Sequence, residues 1–259
     1  MNRTEAIAWT LAAYGVSASA AAVLVDLGEF VQTKLGLKVD GKVGPITRAA
    51  VASAMAPPIP EYDVEFWQEH LRGPCEEMGV PLVYALRWVQ LESGGNPCAI
   101  GSPTQKGPDG HPRELGIAQF YNPDDLQFLH LTGHGLRLYC GKDNRPVRAL
   151  TEAEVKEQAE ATVELIDRCM IRAQGDLARV GATWKTYDVL CLTKLQHGLP
   201  GISRSGLPAV TKLLGRPPAD WDEFCANVSK VTLDSGTERY RAVFDKVLAN
   251  ARSTASVIK

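Results

Sequence analysis

Glu92 is the residue whose type and setting in this sequence best suit acid–base chemistry. An apolar helical stretch that begins at Pro81 runs directly into Glu92 and Ser93 and is broken by the Gly-Gly-Asn-Pro sequence at 94–97. A carboxyl group at the end of a buried helix loses solvation, which raises its pKa and allows it to act as a general acid. Taken alone, however, a Glu-Ser pair is more typical of a solvated last helical turn.

A second feature suited to chemistry is the Gly- and Pro-rich segment from Cys98 to Arg113, which predicts a long loop. Long loops on rigid scaffolds often carry binding or catalytic groups. Asp109 and His111 lie in this loop and Glu114 follows it. The Asp109-Gly110 pair is also a common turn dipeptide, and we expect His111 at the loop surface.

The cysteine pattern does not predict a metal site. The six cysteines are scattered through the chain, without a C-x-x-C pair or a Cys/His cluster at ligand spacing. We expect small buried thiols, although an even count permits disulfides in an oxidising compartment. Neither a metal nor another cofactor is predicted.

The chain has 259 residues, an ordinary globular composition and a formal net charge of -2. Nucleic-acid-binding proteins typically carry a strong net positive charge, which this chain does not have. No apolar run reaches the roughly 20 residues of a membrane span. The run from Ala6 to Val16 is interpreted as a folded helix, with an export signal as the alternative.

Helical periodicity dominates the chain, and no run of alternating β-branched residues is found, so the predicted fold class is all-α. Beyond residue 62, helices are predicted at Asp63 to about Gly73-Pro74, from Pro81, from the Thr151/Glu154 capping box to Gly175, at Trp184–His197, after Asp220/Glu223, and at about Thr237–Ala251.

The predicted domain boundary is the proline-rich linker at 57–61. Before it, residues 1–56 predict a small module of three helices at about 4–14, 20–35 and 45–54. After it, residues 62–259 form the larger predicted domain.

Two motifs around Glu92 resemble those of the soluble lytic transglycosylase family. The sequence at 92–97 matches that family's E-S-x-x-N-P motif, and Gly116-Ile-Ala-Gln119-Phe matches G-L-x-Q-F. The sequence at 237–243 is similar to the family's C-terminal E-T-R-x-Y-V motif, with Thr and Glu transposed. The A-Y-N-x-G motif matches poorly, since Leu195 stands where tyrosine is expected and Gln196 where asparagine is expected.

The resemblance implies a goose-lysozyme-like helical fold that cleaves peptidoglycan glycan strands. Glu92 would be the catalytic acid/base, and Ser93, Gln119, Gln196 and Tyr240 would bind or position substrate. A lytic transglycosylase needs one carboxyl, because the 6-hydroxyl of N-acetylmuramic acid attacks and leaves a 1,6-anhydromuramyl end.

Goose-type lysozymes, which share that fold, resemble this chain in placing an aspartate shortly before the corresponding glycine. Asp109, seven residues ahead of Gly116, could hold a water in the same way. The alternative function is therefore a hydrolytic muramidase with Asp109 as second acid.

The N-terminal sequence at 39–51, VDGKVGPITRAAV, resembles the core of the peptidoglycan-binding domain 1 family. Both resemblances imply peptidoglycan glycan strands as the partner. The net charge predicts no nucleic-acid partner, and a monomer is expected. The two resemblances also imply action at the bacterial cell wall, reached through phage lysis or virion machinery or by export. The second alternative is a catalytically silent wall-binding protein, such as a phage tail component.

Overall fold

The chain divides into two compact units, Met1–Pro58 and Ile59–Lys259. The computed structural model describes residues 32–34, 36–37, 58–107, 110, 112–121 and 139–258. In the first unit, residues 32–34 are helical, and the turn that follows is closed by a 2.8 Å hydrogen bond from Leu37 N to Gln32 O. The module motif at 39–51 and the apolar run at 6–16 lie outside the described residues.

The second unit is mostly helical, which confirms the predicted predominance of α structure. Its elements are α1 Val64–Met78, α2 Leu82–Glu92, β1 Glu114–Leu115, β2 Phe120–Tyr121, α3 Glu152–Val180, α4 Thr186–Gly198, a π-helix Ile202–Gly206, α5 Leu207–Leu214, α6 Trp221–Val228, α7 Ser235–Glu238, a 3₁₀ turn Arg241–Val243, α8 Phe244–Ala255 and a 3₁₀ turn Ser256–Ile258. Among the described residues, no helix is sufficiently long and apolar to traverse a bilayer.

Helix α4 is surrounded by other helices, with the long helix α3 and the C-terminal helix α8 packed against it. Buried positions occur all around it, as expected of a helix in the interior of a domain. Its buried side chains include the apolar Leu190, Cys191, Leu192 and Leu195 and the polar or charged Asp188, Thr193, Lys194 and Gln196. A buried charge needs a partner, so the Lys194 side chain requires a nearby anion.

A short antiparallel hairpin departs from the all-helical prediction. Strands β1 and β2 pair Glu114 with Tyr121 and Leu115 with Phe120. Ile100 bridges to Leu115 on the other side, which brings the segment after α2 to the hairpin. With two residues per strand, the pattern is too short for alternation to be detected in the sequence.

Three predicted helix starts are confirmed by their caps. The side chains of Asp63, Thr151 and Asp220 each accept a hydrogen bond from the backbone N–H three residues later. At Thr151 the capping box is complete, because Glu154 also accepts a hydrogen bond from the Thr151 N–H at 2.8 Å. Ser, Thr and Asp suit these positions because their oxygens satisfy amide donors that have no partner within the helix.

Two predicted helix ends are wrong because burial outweighs local propensity. Helix α1 continues through Pro74 to Met78, because Cys75 belongs to its buried face. The proline costs the helix one hydrogen bond but does not end it. Helix α3 continues past Gly175 to Val180 and buries Leu177. A glycine costs about 1 kcal/mol relative to alanine, whereas burying a leucine contributes about 1.5–3 kcal/mol.

The predicted C-terminal helix at 237–251 is also wrong, because it is divided into α7, a 3₁₀ turn and α8. The Arg241 guanidinium donates to the carbonyl oxygens of Ser229 and Val231 and pairs with Glu238. These contacts hold the turn against the preceding segment. The N–H groups of Tyr240 and Val243 bond to residues three positions earlier, as in 3₁₀ geometry.

One disulfide corrects the expectation that the cysteines are buried thiols. Cys98 and Cys140 are bonded, with their Cα atoms 5.6 Å apart. Cys75, Cys169 and Cys191 are buried thiols, as expected, and Cys225 is a half-buried thiol. Because Cys98 follows the Asn-Pro of the first motif, the disulfide holds the beginning of the long loop.

Candidate active site

Glu92 is the last residue of α2, and its side chain is 17% exposed. Lys194 of α4 donates a hydrogen bond from Nζ to Glu92 Oε1 and forms an ion pair with it. The Lys194 side chain is only 4% exposed. The carboxyl group therefore lies at the edge of the interior, held from the inner side by a cation.

An aromatic ring also holds Lys194 in place. Its Nζ lies 3.8 Å from the centroid of the Trp88 ring, in cation–π geometry. His197, three residues later on the same face of α4, has its ring 5.1 Å from the Trp88 ring. Burial is the main cause that lowers the pKa of His197 to about 4, so this imidazole is neutral at neutral pH.

These surroundings reverse the expected shift of the Glu92 pKa. Burial acts to raise the pKa of Glu92, but the charge and the hydrogen bond of Lys194 act in the opposite direction, and the pKa lies below its ordinary value. The prediction of a raised pKa is therefore wrong. It considered lost solvation and not the cation that the fold supplies from α4.

Ser93 joins the two sequence motifs. Its hydroxyl donates to the carbonyl oxygen of Ile117 at 2.8 Å, and it accepts a hydrogen bond from Gly95 N at 3.1 Å. Gly95 has a φ of +91°, and a Cβ there would lie 2.6 Å from the Asp63 carbonyl carbon. The close approach to the start of α1 explains why glycine is required after the Glu-Ser pair.

Gln158 of α3 forms hydrogen bonds to the backbone of both motifs. Its Oε1 accepts a hydrogen bond from Ile117 N at 3.1 Å, and its Nε2 donates to Pro97 O at 3.2 Å and to the Tyr139 hydroxyl. The side chain is 1% exposed. A buried, fully bonded amide of this kind gives the two segments one defined arrangement.

Gln119, predicted to line the substrate groove, is 5% exposed. Its Nε2 donates to Gly116 O at 3.0 Å, and its backbone has a φ of +55°. This hydrogen bond lies within the turn that joins β1 to β2. Such positive φ values are uncommon outside glycine and often occur at functional sites.

Glu114 carries a second carboxyl group, whose pKa responds to the charge of Glu92. Burial raises the pKa of Glu114, and the negative charge of Glu92 raises it further, while Arg113 opposes both. The Glu114 carboxyl lies against Gly101, where a Cβ would fall 1.7 Å from Oε2. The pKa of Glu92 is therefore lowered, whereas the pKa of Glu114 is raised.

Gln196 and Tyr240 lie in different surroundings from Glu92. Gln196 Nε2 donates to Asp176 Oδ2 at 2.7 Å and to Ser203 Oγ at 2.8 Å, in a network between α3, α4 and the π-helix. Tyr240 is 38% exposed, with the Arg239 guanidinium 4.7 Å from its ring centroid. Leu195, at the expected tyrosine position, is fully buried in the core.

Asp109 and His111 lie outside the described residues. Among the residues that are described, no group of three or more His, Cys, Asp or Glu side chains is placed to hold a metal ion. Carboxyl groups such as those of Glu92 and Glu114 can exchange protons with a hydroxyl or ether oxygen.

Lys194, His197 and Gln158 are not among the site residues predicted from the sequence. A signal for Lys194 was present, because it is a single charge within the apolar stretch at 190–195 and such a charge requires a buried partner. His197 follows at helical spacing. Gln158 lies on the apolar stripe of α3 beside Ala159 and Thr162, where a buried amide also requires partners.

Comparison with known protein families finds no family model that matches the chain, and comparison with curated proteins finds no match.

Proposed function

We propose that this protein cleaves the β-1,4 bond between N-acetylmuramic acid and N-acetylglucosamine in peptidoglycan, with Glu92 as the essential carboxyl group. The observation that carries the proposal is the link between the two motifs. The Ser93 hydroxyl binds the Ile117 carbonyl, so the acid-bearing helix end and the Gly-x-x-Gln turn meet. Gln158 supports the same junction from the interior.

The proposed product is a 1,6-anhydromuramyl end, formed when the muramyl 6-hydroxyl attacks C1. The second candidate is hydrolysis, and a specific observation favours it. Burial and the negative charge of Glu92 raise the pKa of Glu114, and an ordinary glycosidase uses two carboxyl groups, one as acid and one as base or nucleophile. Asp109 remains the water-holding residue that the resemblance suggests for this alternative.

A catalytically silent wall-binding protein is the third candidate. The Glu92–Lys194 ion pair supports it, because a buried ion pair can fix a fold without taking part in a reaction. For any of the three, the Cys98–Cys140 disulfide suits a setting outside the reducing cytoplasm. We propose the bacterial cell wall as that setting, reached by export or through phage machinery.

The experiment is digestion of purified sacculi, followed by mass spectrometry of the soluble fragments. Anhydromuropeptides, about 18 mass units lighter than the hydrolytic products by one water, indicate the lytic reaction. Glu92→Gln should lower the rate by roughly 10²–10⁴-fold. Glu77→Gln, at an exposed position of α1, is the matched control and should keep the full rate.

Release of hydrolytic muropeptides in place of anhydro products would decide for the muramidase. No release by the wild-type protein, combined with retained binding to sacculi, would decide for the silent binder. A folded Glu92→Gln variant with the wild-type rate would contradict the assignment of the site.

A further inference from the structure

The carboxyl group of Glu92 has one oxygen bonded toward the interior and one oxygen that is open. Its Oε1 accepts a hydrogen bond from Lys194 Nζ. Among the described residues, Oε2 has no hydrogen-bond partner, and it is not one of the buried side-chain atoms that lack a partner there. Since the Glu92 side chain is 17% exposed, Oε2 is the carboxyl oxygen that a ligand can reach.

The lysine that binds Oε1 is itself held in place. The Lys194 side chain is 4% exposed, and its Nζ lies 3.8 Å from the ring centroid of the fully buried Trp88. Trp88 and Glu92 are four residues apart on α2, so they share one face of that helix. The ammonium group therefore contacts an anion and an aromatic ring on the same helix face.

The same faces of α2 and α4 are joined one turn earlier. The Tyr84 hydroxyl donates to Leu190 O at 2.8 Å, and both residues are buried. Tyr84 precedes Trp88 by four residues on α2. Leu190 likewise precedes Lys194 by four residues on α4. This hydrogen bond fixes the register in which Lys194 lies beside the end of α2.

We propose that Lys194 is a positioning residue that binds Oε1 of Glu92 in both protonation states of the carboxyl group, so that Oε2 carries the proton exchanged with the glycan. This inference rests on the proposed function, and it adds a residue that the motif resemblance does not include. It applies to the anhydro product and to the hydrolytic product alike.

The chemistry of an ammonium group explains the selection of one oxygen. A protonated lysine has three N–H donors and no acceptor. A carboxylic acid accepts best through its carbonyl oxygen and donates through its hydroxyl oxygen, so the oxygen bonded to Lys194 is the carbonyl oxygen. The proton then resides on Oε2. Release of Glu92 would leave the buried ammonium group without its anion, which is strongly unfavourable.

The cleavage steps balance with Glu92 as the exchanging group. Oε2 gives its proton to the glycosidic oxygen as the bond from C1 to that oxygen breaks. A hydroxyl oxygen, from the muramyl 6-position or from water, forms the new bond to C1 and gives its proton to Oε2. Lys194 keeps its own protons throughout, and its charge favours the carboxylate that exists between the two transfers.

The kinetic test compares Lys194→Met with Lys194→Arg on soluble glycan fragments. Lys194→Met nearly keeps the length of the side chain but has no donor. We expect its kcat to fall by about 10²-fold, as for a misplaced catalytic group, with KM near the wild-type value. Lys194→Arg keeps a cation that only donates and should retain more of kcat. Lys185→Met, at the exposed start of α4, is the control and should keep both constants.

Urea unfolding of each variant separates this role from a purely structural one. If Lys194 only stabilised the fold, activity would follow stability. The proposal instead expects Lys194→Arg to be the more active variant even if its larger side chain makes it the less stable one. A folded Lys194→Met with the wild-type kcat, together with an inactive Glu92→Gln, would overturn the positioning role and leave the proposed function standing.

The second test does not depend on cleavage. Glu92→Gln replaces the two equivalent oxygens by one oxygen and one NH₂ group, so the orientation of the side chain becomes measurable. Nuclear magnetic resonance with ¹⁵N-labelled lysine and ¹³C-labelled glutamine should show coupling across a hydrogen bond from Lys194 Nζ to the introduced amide oxygen. The Lys194 signal is assigned by its loss in Glu92→Gln/Lys194→Met.

An introduced amide whose NH₂ group faces Lys194, or which has no contact with Lys194, would overturn the proposal. No release of muropeptides by the wild-type protein would instead overturn the proposed function, and with it the role of Oε2 in the reaction. The two failures are therefore distinguishable, because the orientation of the amide is measured without any substrate.

Discussion

At the scale of single residues, the buried lysine determines what the carboxyl group of the site can do. A carboxyl at a helix end takes a raised pKa from burial alone, but the neighbouring Lys194 lowers the Glu92 pKa. The contribution of an ion pair to stability is the difference between a large desolvation penalty and a large attraction. Removing one partner therefore has a very different consequence from removing both.

We predict that Glu92→Gln lowers the free energy of unfolding by on the order of 3 kcal/mol, since it leaves Lys194 buried without an anion. The double variant Glu92→Gln/Lys194→Met removes both charges and should recover most of that loss. Urea unfolding of the wild type, both single variants and the double variant measures the coupling. Equal destabilisation of the single and double variants would contradict this account.

His197 gives the protein a pH-dependent stability. Its pKa is lowered from 6.5 to about 4, so the unfolded chain binds a proton in this range before the folded chain does. Stability therefore falls as pH is lowered from about 6.5 to 4, by up to about 3 kcal/mol from this residue. His197→Gln should have a flatter stability curve over this range. His70→Gln, on α1, is the control, and an equally flat curve in it would contradict the assignment.

At the scale of elements, the sequence predicted helix starts better than helix ends. Starts depend on a local contact, such as the Thr151 side chain with the backbone N–H of Glu154. Ends depend on how far a buried stripe continues, and Leu177 extends α3 beyond Gly175 for this reason. The hairpin and the ion pair to α4 depend on contacts between distant segments. No local pattern could therefore predict which side chain would face Glu92, although the presence of an acid at that helix end was visible.

Gln158 should couple α3 to the site. Gln158→Met keeps the size of the side chain but removes its hydrogen bonds to Pro97 O and Ile117 N, at a cost of about 1–3 kcal/mol. We expect a lower kcat for glycan cleavage in addition to lower stability. Gln196→Met is the matched control, because it removes a buried amide bonded to Asp176 and Ser203. It should lose similar stability and retain more activity, and the opposite ranking would contradict the role of Gln158.

At the scale of the whole molecule, the chain joins a described helical unit to a smaller N-terminal one. The division falls between Pro58 and Ile59, within a run of prolines that disfavours helix and stiffens the backbone. The described catalytic candidates, from Glu92 to Tyr240, and the residues that support them belong to the second unit. Its core includes the fully buried Trp67, Trp88 and Trp221. Such a unit has the buried apolar surface needed to fold by itself.

We predict that a chain of residues 59–259 folds and unfolds cooperatively, and that it cleaves soluble glycan fragments at a rate close to that of the full chain. Its binding to intact sacculi should be much weaker, because a tethered binding module raises the effective concentration of an enzyme at its polymer. Circular dichroism on heating, sedimentation with sacculi and release of muropeptides measure the three properties. Glu92→Gln in both chains separates binding from cleavage. If the shortened chain sediments with sacculi as well as the full chain does, the N-terminal unit is not the wall-binding module that its motif suggests.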